Sequence, residues 1–352
     1  MFKLKSFSRE AKLLNPLKNF EAESKTIEYR INPLTGKLGC ILLKDSERPF
    51  EEMIFVSDEE AIKRLVGESE GKCFFCPEKV EQVTPKFLEE VFSEGRIRVG
   101  EAILFPNLYP YCEFSVIAVL TKKHYLGLEE FTPEVFLNGF LAIKKFAERI
   151  VKIDKKTKHI VVGLQYLPPA GSSIIHPHIQ ALLTATPLGN LKKLLEASRR
   201  YYKRNSSNFW EDLVKFERES GERYVGSIKN VDWVIPFTPS SEYEVLAVVK
   251  EKSSFLELGE DDFKSLADGL CRILKFFSVK RFSCSQFVLA SGSISQKVEY
   301  FRVNLRITAR PGLKQFYVND SWFTPHLLHQ PIINLPPESF AKTLKEYFKS
   351  GE

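Results

Sequence analysis

The chain has 352 residues, of which 43% are hydrophobic and 27% charged, and its formal net charge is +6. This composition is typical of a globular protein with room for two domains, and it excludes a disordered chain. No apolar run approaches the roughly 20 residues that span a bilayer, and the start, MFKLKSFSREAKLLNP, lacks the apolar core of a signal peptide. We therefore expect a cytoplasmic protein that acts on neither membranes nor nucleic acid.

The first chemical pattern along the chain is a pair of cysteines in GKCFFCPEKVEQVTP. Cys73 and Cys76 stand at a spacing that lets two thiolates meet one tetrahedral ion. By itself the pair is half of a zinc site, a redox pair or a coincidence. A closed zinc site would take its two other ligands from histidines, because the chain has no second C-x-x-C. The other four cysteines are scattered, which argues for reduced thiols: Cys40, Cys112, Cys271 and Cys284.

An internal repeat relates residues 105–150 to residues 235–277. In each copy a proline-bearing turn leads to a β-branched strand, a loop and an amphipathic helix whose apolar residues recur three or four apart. Each copy then continues into two more strand-like runs. The sequence therefore predicts a duplicated α+β domain, with its first strands over 114–120 and 243–249 and its later strands near 159–167, 178–185, 285–293 and 300–309.

A second chemical pattern, GSSIIHPHIQALLTA, lies at the end of the first copy. On an extended strand His176, His178 and Gln180 share one face, which is also what a solvated edge strand would show. The repeat offers an internal comparison. We align the three residues with Asn304, Arg306 and Thr308, and His124 with Ser253, while the two cysteines have no counterpart. Candidate chemical groups in one copy alone favour a functional role over a structural one.

Four segments, taken in order, carry a resemblance to a known family. They are YRINPLTGKLGCILLKDSERPFEE, CFFCPEKVEQVTP, ILFPNLYPY and PAGSSIIHPHIQ. Together they resemble the galactose-1-phosphate uridylyltransferase family of the histidine-triad superfamily, from about residue 28 to about residue 345. The resemblance implies an antiparallel sheet with helices packed on it, in a catalytic and zinc-binding domain over 1–188 and a second histidine-triad-like domain over 189–352 that lacks the catalytic histidines.

The same resemblance assigns roles to individual residues. It makes His178 the nucleophile that forms a nucleotidyl-histidine intermediate in a ping-pong mechanism, and Gln180 a donor to a phosphate oxygen. It implies zinc (Zn²⁺) bound by Cys73, Cys76, His124 and His176. It implies substrate binding by Arg48, Asn107, Gln165, Gly171, Ser172 and Ser173. It also implies a homodimer in which Lys314 and Gln330 serve a neighbouring site.

Departures from the family pattern leave the substrate open. Asp45 stands where the first of two arginines is usual, so only Arg48 remains, and Gln165 replaces an asparagine. The leading hypothesis is transfer of a nucleoside monophosphate between a nucleotide-sugar and a hexose 1-phosphate, as in galactose metabolism. The alternatives are a phosphorolytic relative, such as ADP-glucose phosphorylase or a dinucleoside-polyphosphate phosphorylase, and a non-catalytic zinc-stabilised nucleotide-binding protein. The nucleotide base, uracil or adenine, stays open.

Overall fold

A computed structural model of the chain describes residues 2–42, 50–316 and 318–349. The strands are β1 (Lys5–Asn15), β2 (Glu21–Ile31), β3 (Leu38–Leu42), β4 (Ile97–Val99), β5 (Ala102–Pro106), β6 (Phe114–Val119), β7 (His159–Tyr166), β8 (His178–Thr184), β9 (Tyr224–Ile228), β10 (Val231–Val234), β11 (Val245–Val249), β12 (Ser285–Ala290), β13 (Asn304–Ala309) and β14 (Ile332–Ile333). The helices are α1 (Phe50–Ile54), α2 (Glu59–Glu70), α3 (Pro77–Val83), α4 (Pro133–Ile153), α5 (Gly189–Asn205), α6 (Phe209–Ser220), α7 (Glu260–Val279), α8 (Phe323–His326) and α9 (Pro337–Lys349).

Ten strands form one antiparallel sheet in the order β4-β5-β6-β8-β7-β12-β13-β11-β10-β9. Its two halves have the same connectivity, and β7 and β12 pair at the centre. The predicted duplicated α+β fold is therefore confirmed. The strand β8 lies between β6 and β7, so the alternative of an edge strand for the paired histidines is wrong.

The helices α4 and α7 cover one face of this sheet. Their predicted apolar stripes are buried, and Phe140 of α4 stacks on Phe263 of α7 with ring centroids 5.5 Å apart. One hydrophobic core runs beneath both helices and through both halves. The division into domains at residues 188 and 189 stays a prediction, since the sheet and this core continue across it.

Two covering segments pack on the ends of the opposite face: the C-x-x-C segment with α3, and the helices α5 and α6. In the first half, Cys73 and Phe75 of the segment joining α2 to α3 and Val80 of α3 pack on β5 and β6. In the second half, α5 and α6 pack on β10, β11 and β12. Neither covering segment was predicted from the sequence. Between them the sheet is left open, and the side chains of its central strands line a cavity there.

The register of the two halves corrects the alignment proposed from the sequence. Leu120 N–H donates to the Pro177 carbonyl, and Val249 N–H donates to the Val303 carbonyl, each at 2.9 Å. His178 pairs with Val119 in the same way that Asn304 pairs with Val248. The counterparts of His176, His178 and Gln180 are therefore Arg302, Asn304 and Arg306. Because the error is two residues, it kept every side chain on its predicted face.

The two ends of the chain meet in a second sheet, of order β1-β2-β3-β14. Arg30 of β2 is buried and binds Glu338 of α9 through two hydrogen bonds of 2.8 and 3.1 Å. The same guanidinium donates to Glu28 and to the Phe237 carbonyl. No helix within the described parts of the chain is long and apolar enough to cross a membrane.

Candidate active site and metal centre

The C-x-x-C segment and two histidines converge beside the start of β8. One ligand atom from each of four buried side chains lies within 4.8 Å of all the others: Cys73, Cys76, His124 and His176. Cys73 follows α2, and Cys76 is the residue before α3, whose first position is Pro77. The Cys76 Sγ lies 3.3 Å from His124 Nδ1 and 3.7 Å from His176 Nδ1.

Hydrogen bonds on the far side of each ring orient the two imidazoles. The His176 Nε2–H donates to the Thr121 carbonyl at 2.8 Å. The Ser69 hydroxyl donates to the Leu65 carbonyl at 2.6 Å, so its oxygen accepts from His124 Nε2–H at 3.0 Å. Both rings therefore present an unprotonated Nδ1 to the thiols, as ligating histidines do in metal sites.

The electrostatics of this cluster fit a bound cation. Burial and the neighbouring Cys73 raise the pKa of Cys76 to about 12, so two thiolates are unfavourable here unless a positive charge joins them. Burial lowers the pKa of His176 to about 4 despite its bond to the Thr121 carbonyl, which keeps the ring neutral at pH 7. Two thiolates and two neutral imidazoles are a donor set for a closed tetrahedral metal site. The cluster could therefore bind a metal ion.

The candidate nucleophile lies two residues beyond His176 of this cluster. His178 is the first residue of β8, and its Nδ1 donates to the His176 carbonyl at 2.7 Å. The ring is buried and packs edge-on against Phe75, with centroids 5.3 Å apart. Burial lowers the pKa of His178, which favours the neutral ring. With the proton held on Nδ1, the lone pair is on Nε2.

A strained loop precedes the histidines. Leu167 has a φ of 69°, which a branched side chain rarely adopts, and Gly171 has a φ of 94°. A Cβ atom at Gly171 would lie 3.3 Å from the Gln165 side-chain amide, so the loop passes close to that predicted substrate residue. The Ser172 hydroxyl is buried and donates to the Ile174 carbonyl at 2.6 Å, whereas Ser173 is exposed.

The open face of the sheet holds a cavity of about 490 Å³, which we call the central cavity. Gln165 and Gln180 line it on the first half, and Gln286 and Arg306 line it on the second. The register sets Gln180, Gly163, Val288 and Arg306 in one row across four strands. The cavity therefore lies across the line that relates the two halves.

Three other predicted substrate residues that the structure describes, Asn107, Lys314 and Gln330, do not line the central cavity. Asn107 follows β5, and its amide lies 3.4 Å from the Ser115 hydroxyl. Lys314 donates to the Glu52 and Met53 carbonyls at 2.5 and 3.0 Å. Gln330 lines a different cavity, formed with the small sheet. Lys314 and Gln330 are not among the residues that line the central cavity, and Arg48 lies outside the described residues.

Sequence reasoning missed several residues of the site. Phe75 lies inside the C-x-x-C and contacts His178, but nothing in the sequence distinguishes it from an ordinary core aromatic residue. The alignment of the two copies matched Arg306 with His178, and strand alternation predicts that its side chain lies on the open face. Its position in the same row as Gln180 depends on the strand register between the two halves, which the sequence did not determine.

These observations define a duplicated histidine-triad-like fold, and comparison with solved structures confirms the fold. An ADP-glucose phosphorylase from Arabidopsis thaliana, solved with bound ADP-glucose, superposes with a TM-score of 0.69 at 17% identity, over 91% of this chain and 99% of that one. A GalT-like protein from Arabidopsis thaliana gives 0.68 at 17% identity, over 90% and 98%. A uridylyltransferase gives 0.64 at 18% identity, over 91% and 98%.

Sequence comparison adds one relative. An uncharacterized protein of Archaeoglobus fulgidus is 28% identical over 342 residues, which are 97% of this chain and 98% of that protein. No protein-family model matches the chain. The resemblance inferred from the motifs is thus confirmed at the level of the fold.

Proposed function

We propose that the chain is a nucleotidyltransferase that passes a nucleoside monophosphate through a covalent bond to His178. The observation that carries the proposal is the hydrogen bond from His178 Nδ1–H to the His176 carbonyl, which leaves Nε2 unprotonated on the strand whose Gln180 lines the central cavity. A neutral imidazole fixed in this tautomer is a competent nucleophile at neutral pH. The superposed ADP-glucose phosphorylase and uridylyltransferase support the same class of reaction.

The reaction proceeds in two displacements. The Nε2 lone pair of His178 attacks the α-phosphorus of a nucleotide-sugar, and the bond to the bridging oxygen breaks, so that hexose 1-phosphate leaves with the electron pair. The proton stays on Nδ1 and is donated to the His176 carbonyl, which stabilises the positive charge that the ring gains. A phosphate oxygen of the acceptor then attacks the same phosphorus, and the P–N electron pair returns to Nε2.

Other residues bind and orient the substrate. Gln180 donates to a non-bridging phosphate oxygen on which charge rearranges in the transition state. Ser173 and the backbone at Gly171 and Ser172 bind phosphate oxygens, and Asn107 binds the ribose. Gln165 and Arg48 contact the phosphates or the sugar of the substrate.

The metal in the cluster is zinc, with a structural role. Cys73, Cys76, His124 and His176 would hold it and leave no position for substrate. Bound zinc supplies the positive charge that two buried thiolates need and ties the segment between α2 and α3 to the strand that begins at His178.

Two acceptors remain, and they separate a hexose-1-phosphate uridylyltransferase-like enzyme from a phosphorylase. A hexose 1-phosphate would place the chain in carbohydrate metabolism of the galactose type. Inorganic phosphate would give an activity like that of the ADP-glucose phosphorylase whose fold it shares. In either case we propose a homodimer in which Lys314 and Gln330 contribute to the site of the partner subunit.

Covalent labelling tests the proposal. Incubation with nucleotide-sugars labelled in the α-phosphate, one with uracil and one with adenine, should leave an acid-labile, base-stable label on the wild-type protein. His178→Gly should take up no label, and a preformed nucleoside phosphoimidazolide should restore transfer to the acceptor. Release of the label by hexose 1-phosphate or by inorganic phosphate identifies the acceptor. An unlabelled wild-type protein that still binds the nucleotides would make the chain a non-catalytic nucleotide-binding protein.

Replacement of Gln180 refines the assignment. Gln180→Ala should slow labelling by about a hundredfold, which is the scale for losing one positioned donor to a developing charge. Labelling at the wild-type rate would remove Gln180 from the proposed mechanism while leaving His178 in it.

A further inference from the structure

A second cavity opens from the central cavity on the side of the second half. It encloses about 430 Å³ between the turn before β3, the first turn of α5, the loop after β10 and the segment near Pro331. Asn190, Ser240 and Arg306 line both cavities. We call this space the basic cavity, because Lys37, Lys193 and Arg306 line it.

The charge of the basic cavity is not balanced by its own lining. No Asp or Glu is among the described residues that line it. Arg306 does pair with Glu244 at 3.2 Å, but that carboxylate is already shared with the Ser240 backbone N–H and hydroxyl. Within the described part of the chain, no carboxylate lies at ion-pair distance from Lys37 or Lys193. The cavity therefore keeps about two positive charges, which favours an anionic ligand.

Unsatisfied donors provide a second and independent indication. Thr238 lines the cavity at 8% exposure, and its hydroxyl has no hydrogen-bond partner. The buried Nε of Arg306 has none either. The helix α5 starts at the cavity with Gly189, and the residue before it, Leu188, provides no side-chain cap. A buried donor without an acceptor is costly, and the free N–H groups of a helix start attract anions. A phosphate group offers several acceptor oxygens at once.

The position of the basic cavity relates it to the reaction. Gln180, Gly163, Val288 and Arg306 occupy one row across β8, β7, β12 and β13. Three strand spacings put Arg306 about 14 Å from Gln180 along the sheet. Asn107, the proposed ribose ligand, lies beyond β8 in the opposite direction, after β5. A substrate with its nucleoside near Asn107 and its α-phosphate near Gln180 therefore extends its other end towards Arg306.

We propose that the basic cavity binds a second phosphate group at the far end of the sugar phosphate, so that the substrate is a nucleotide-sugar whose sugar carries its own phosphate. This inference rests on the proposed function for the direction of the substrate, but the cavity is a phosphate site in its own right. Its residues bind the substrate and take no part in bond making. The leaving group that His178 displaces is then a hexose bisphosphate, not a hexose monophosphate.

Calorimetric binding of two free sugars tests the site without catalysis. The full chain should bind hexose 1,6-bisphosphate at least about tenfold more tightly than hexose 1-phosphate, and Lys37→Ala and Lys193→Ala should each remove most of that difference. Lys192→Ala is the matched control, because Lys192 is the exposed neighbour of Lys193 and does not line the cavity. Equal affinity for the two sugars would overturn the proposal. Inorganic phosphate that binds as tightly as the bisphosphate would show a free-anion site instead and would overturn the sugar assignment.

Labelling of His178 by two matched donors tests the link to the reaction. A nucleotide-sugar with a 6-phosphate should label the protein with kcat/KM at least about tenfold above that of the unphosphorylated donor, and Lys193→Ala should abolish the preference through KM. Equal labelling by both donors would refute the inference while leaving the proposed function intact. Preferential bisphosphate binding without any labelling would refute the proposed function and retain the phosphate site.

Discussion

The two halves of the sheet have one connectivity but hold their covering helices in different ways. In the first half, His176 precedes the strand and joins a cluster with two cysteines from the segment between α2 and α3. In the second half the same position is Arg302, whose guanidinium binds Glu211 of α6 at 2.7 Å. At equivalent positions, the Cys–His cluster therefore connects its strand to the segment between α2 and α3, and the ion pair connects its strand to α6.

The next position along the strand separates structure from chemistry. His178 Nδ1 donates to the carbonyl two residues before it, and Asn304 Nδ2 donates to the Arg302 carbonyl in the same way at 3.0 Å. The local fold needs a side-chain donor here, and both residues supply one. Only histidine has a second ring nitrogen, which is the proposed nucleophile, so at this position the two halves differ by one functional group on a shared backbone bond.

The largest expected effect comes from making the first half like the second. His178→Asn should reduce turnover by about 10⁴-fold or more, as loss of a covalent nucleophile does, because asparagine restores the backbone bond without the nucleophile. Stability should stay within about 1 kcal/mol of the wild type, measured by urea unfolding. The reciprocal change Asn304→His should create no second labelled residue. A labelled His178→Asn protein would place the nucleophile elsewhere.

Removal of one cluster ligand should lower the folding stability more than it changes the chemical step of the reaction. Cys73→Ser should reduce zinc from near one equivalent per chain, by elemental analysis, and lower the free energy of unfolding by about 3 kcal/mol or more. Cys271→Ser is the control, because Cys271 lies on α7 away from the cluster. Equal losses in the two variants, or wild-type protein with far less than one zinc, would contradict the assigned cluster.

A buried carboxyl in the second half, Glu242, predicts a pH dependence of the folding stability. Burial raises the pKa of Glu242 to about 7 from its ordinary 4.5, although it accepts hydrogen bonds from Asn334. The folded chain binds this proton more tightly than the unfolded chain does, so protonation of Glu242 stabilises the fold. This contribution to the free energy of unfolding is complete below about pH 4.5 and is lost as the pH rises through about 7. Glu242→Gln should remove a decline of about 3 kcal/mol over that range.

The matched variant is Glu113→Gln, since Glu113 occupies the equivalent position before β6 and is exposed. Its unfolding free energy, followed by urea titration at several pH values, should keep the wild-type slope. Identical slopes for wild type and Glu242→Gln would show that the Glu242 proton is not linked to folding.

The smallest expected effect concerns the ion pair of the second half. Arg302→Ala should lower the free energy of unfolding by about 2 kcal/mol, less than a fully buried pair would, because Glu211 is half exposed. Zinc content should not change. Arg302→Met, which keeps the aliphatic bulk, should recover part of the loss. A fall in zinc content in either Arg302 variant would mean that the ion pair of the second half affects the metal cluster of the first.

The sequence predicted the features that local patterns determine. Period-3.6 stripes identified α4 and α7, and strand alternation placed His176, His178 and Gln180 on one face. The four residues of the cluster came from the family resemblance, because the C-x-x-C spacing by itself left three interpretations open. The helices α5 and α6 carry apolar stripes as α4 and α7 do, but they lie outside the repeat and were not assigned. The small sheet was missed because it pairs β3 with β14 from near the other end of the chain. The alignment of the halves failed by two residues, since a shift of two preserves strand alternation and only backbone hydrogen bonds between strands distinguish the registers.

The pairing of β3 with β14 has a consequence for how the chain reaches this state. Ile332 and Ile333 pair with Cys40 and Ile41, so this contact joins residues that are very far apart in the sequence. Until this contact forms, the sheet has only β1, β2 and β3, and the nearly fully exposed β1 adds little apolar burial to stabilise it. Contacts between such distant residues form slowly. We expect the amides of β1 and β2 to gain protection last in pulsed hydrogen exchange during refolding, after those of the central sheet.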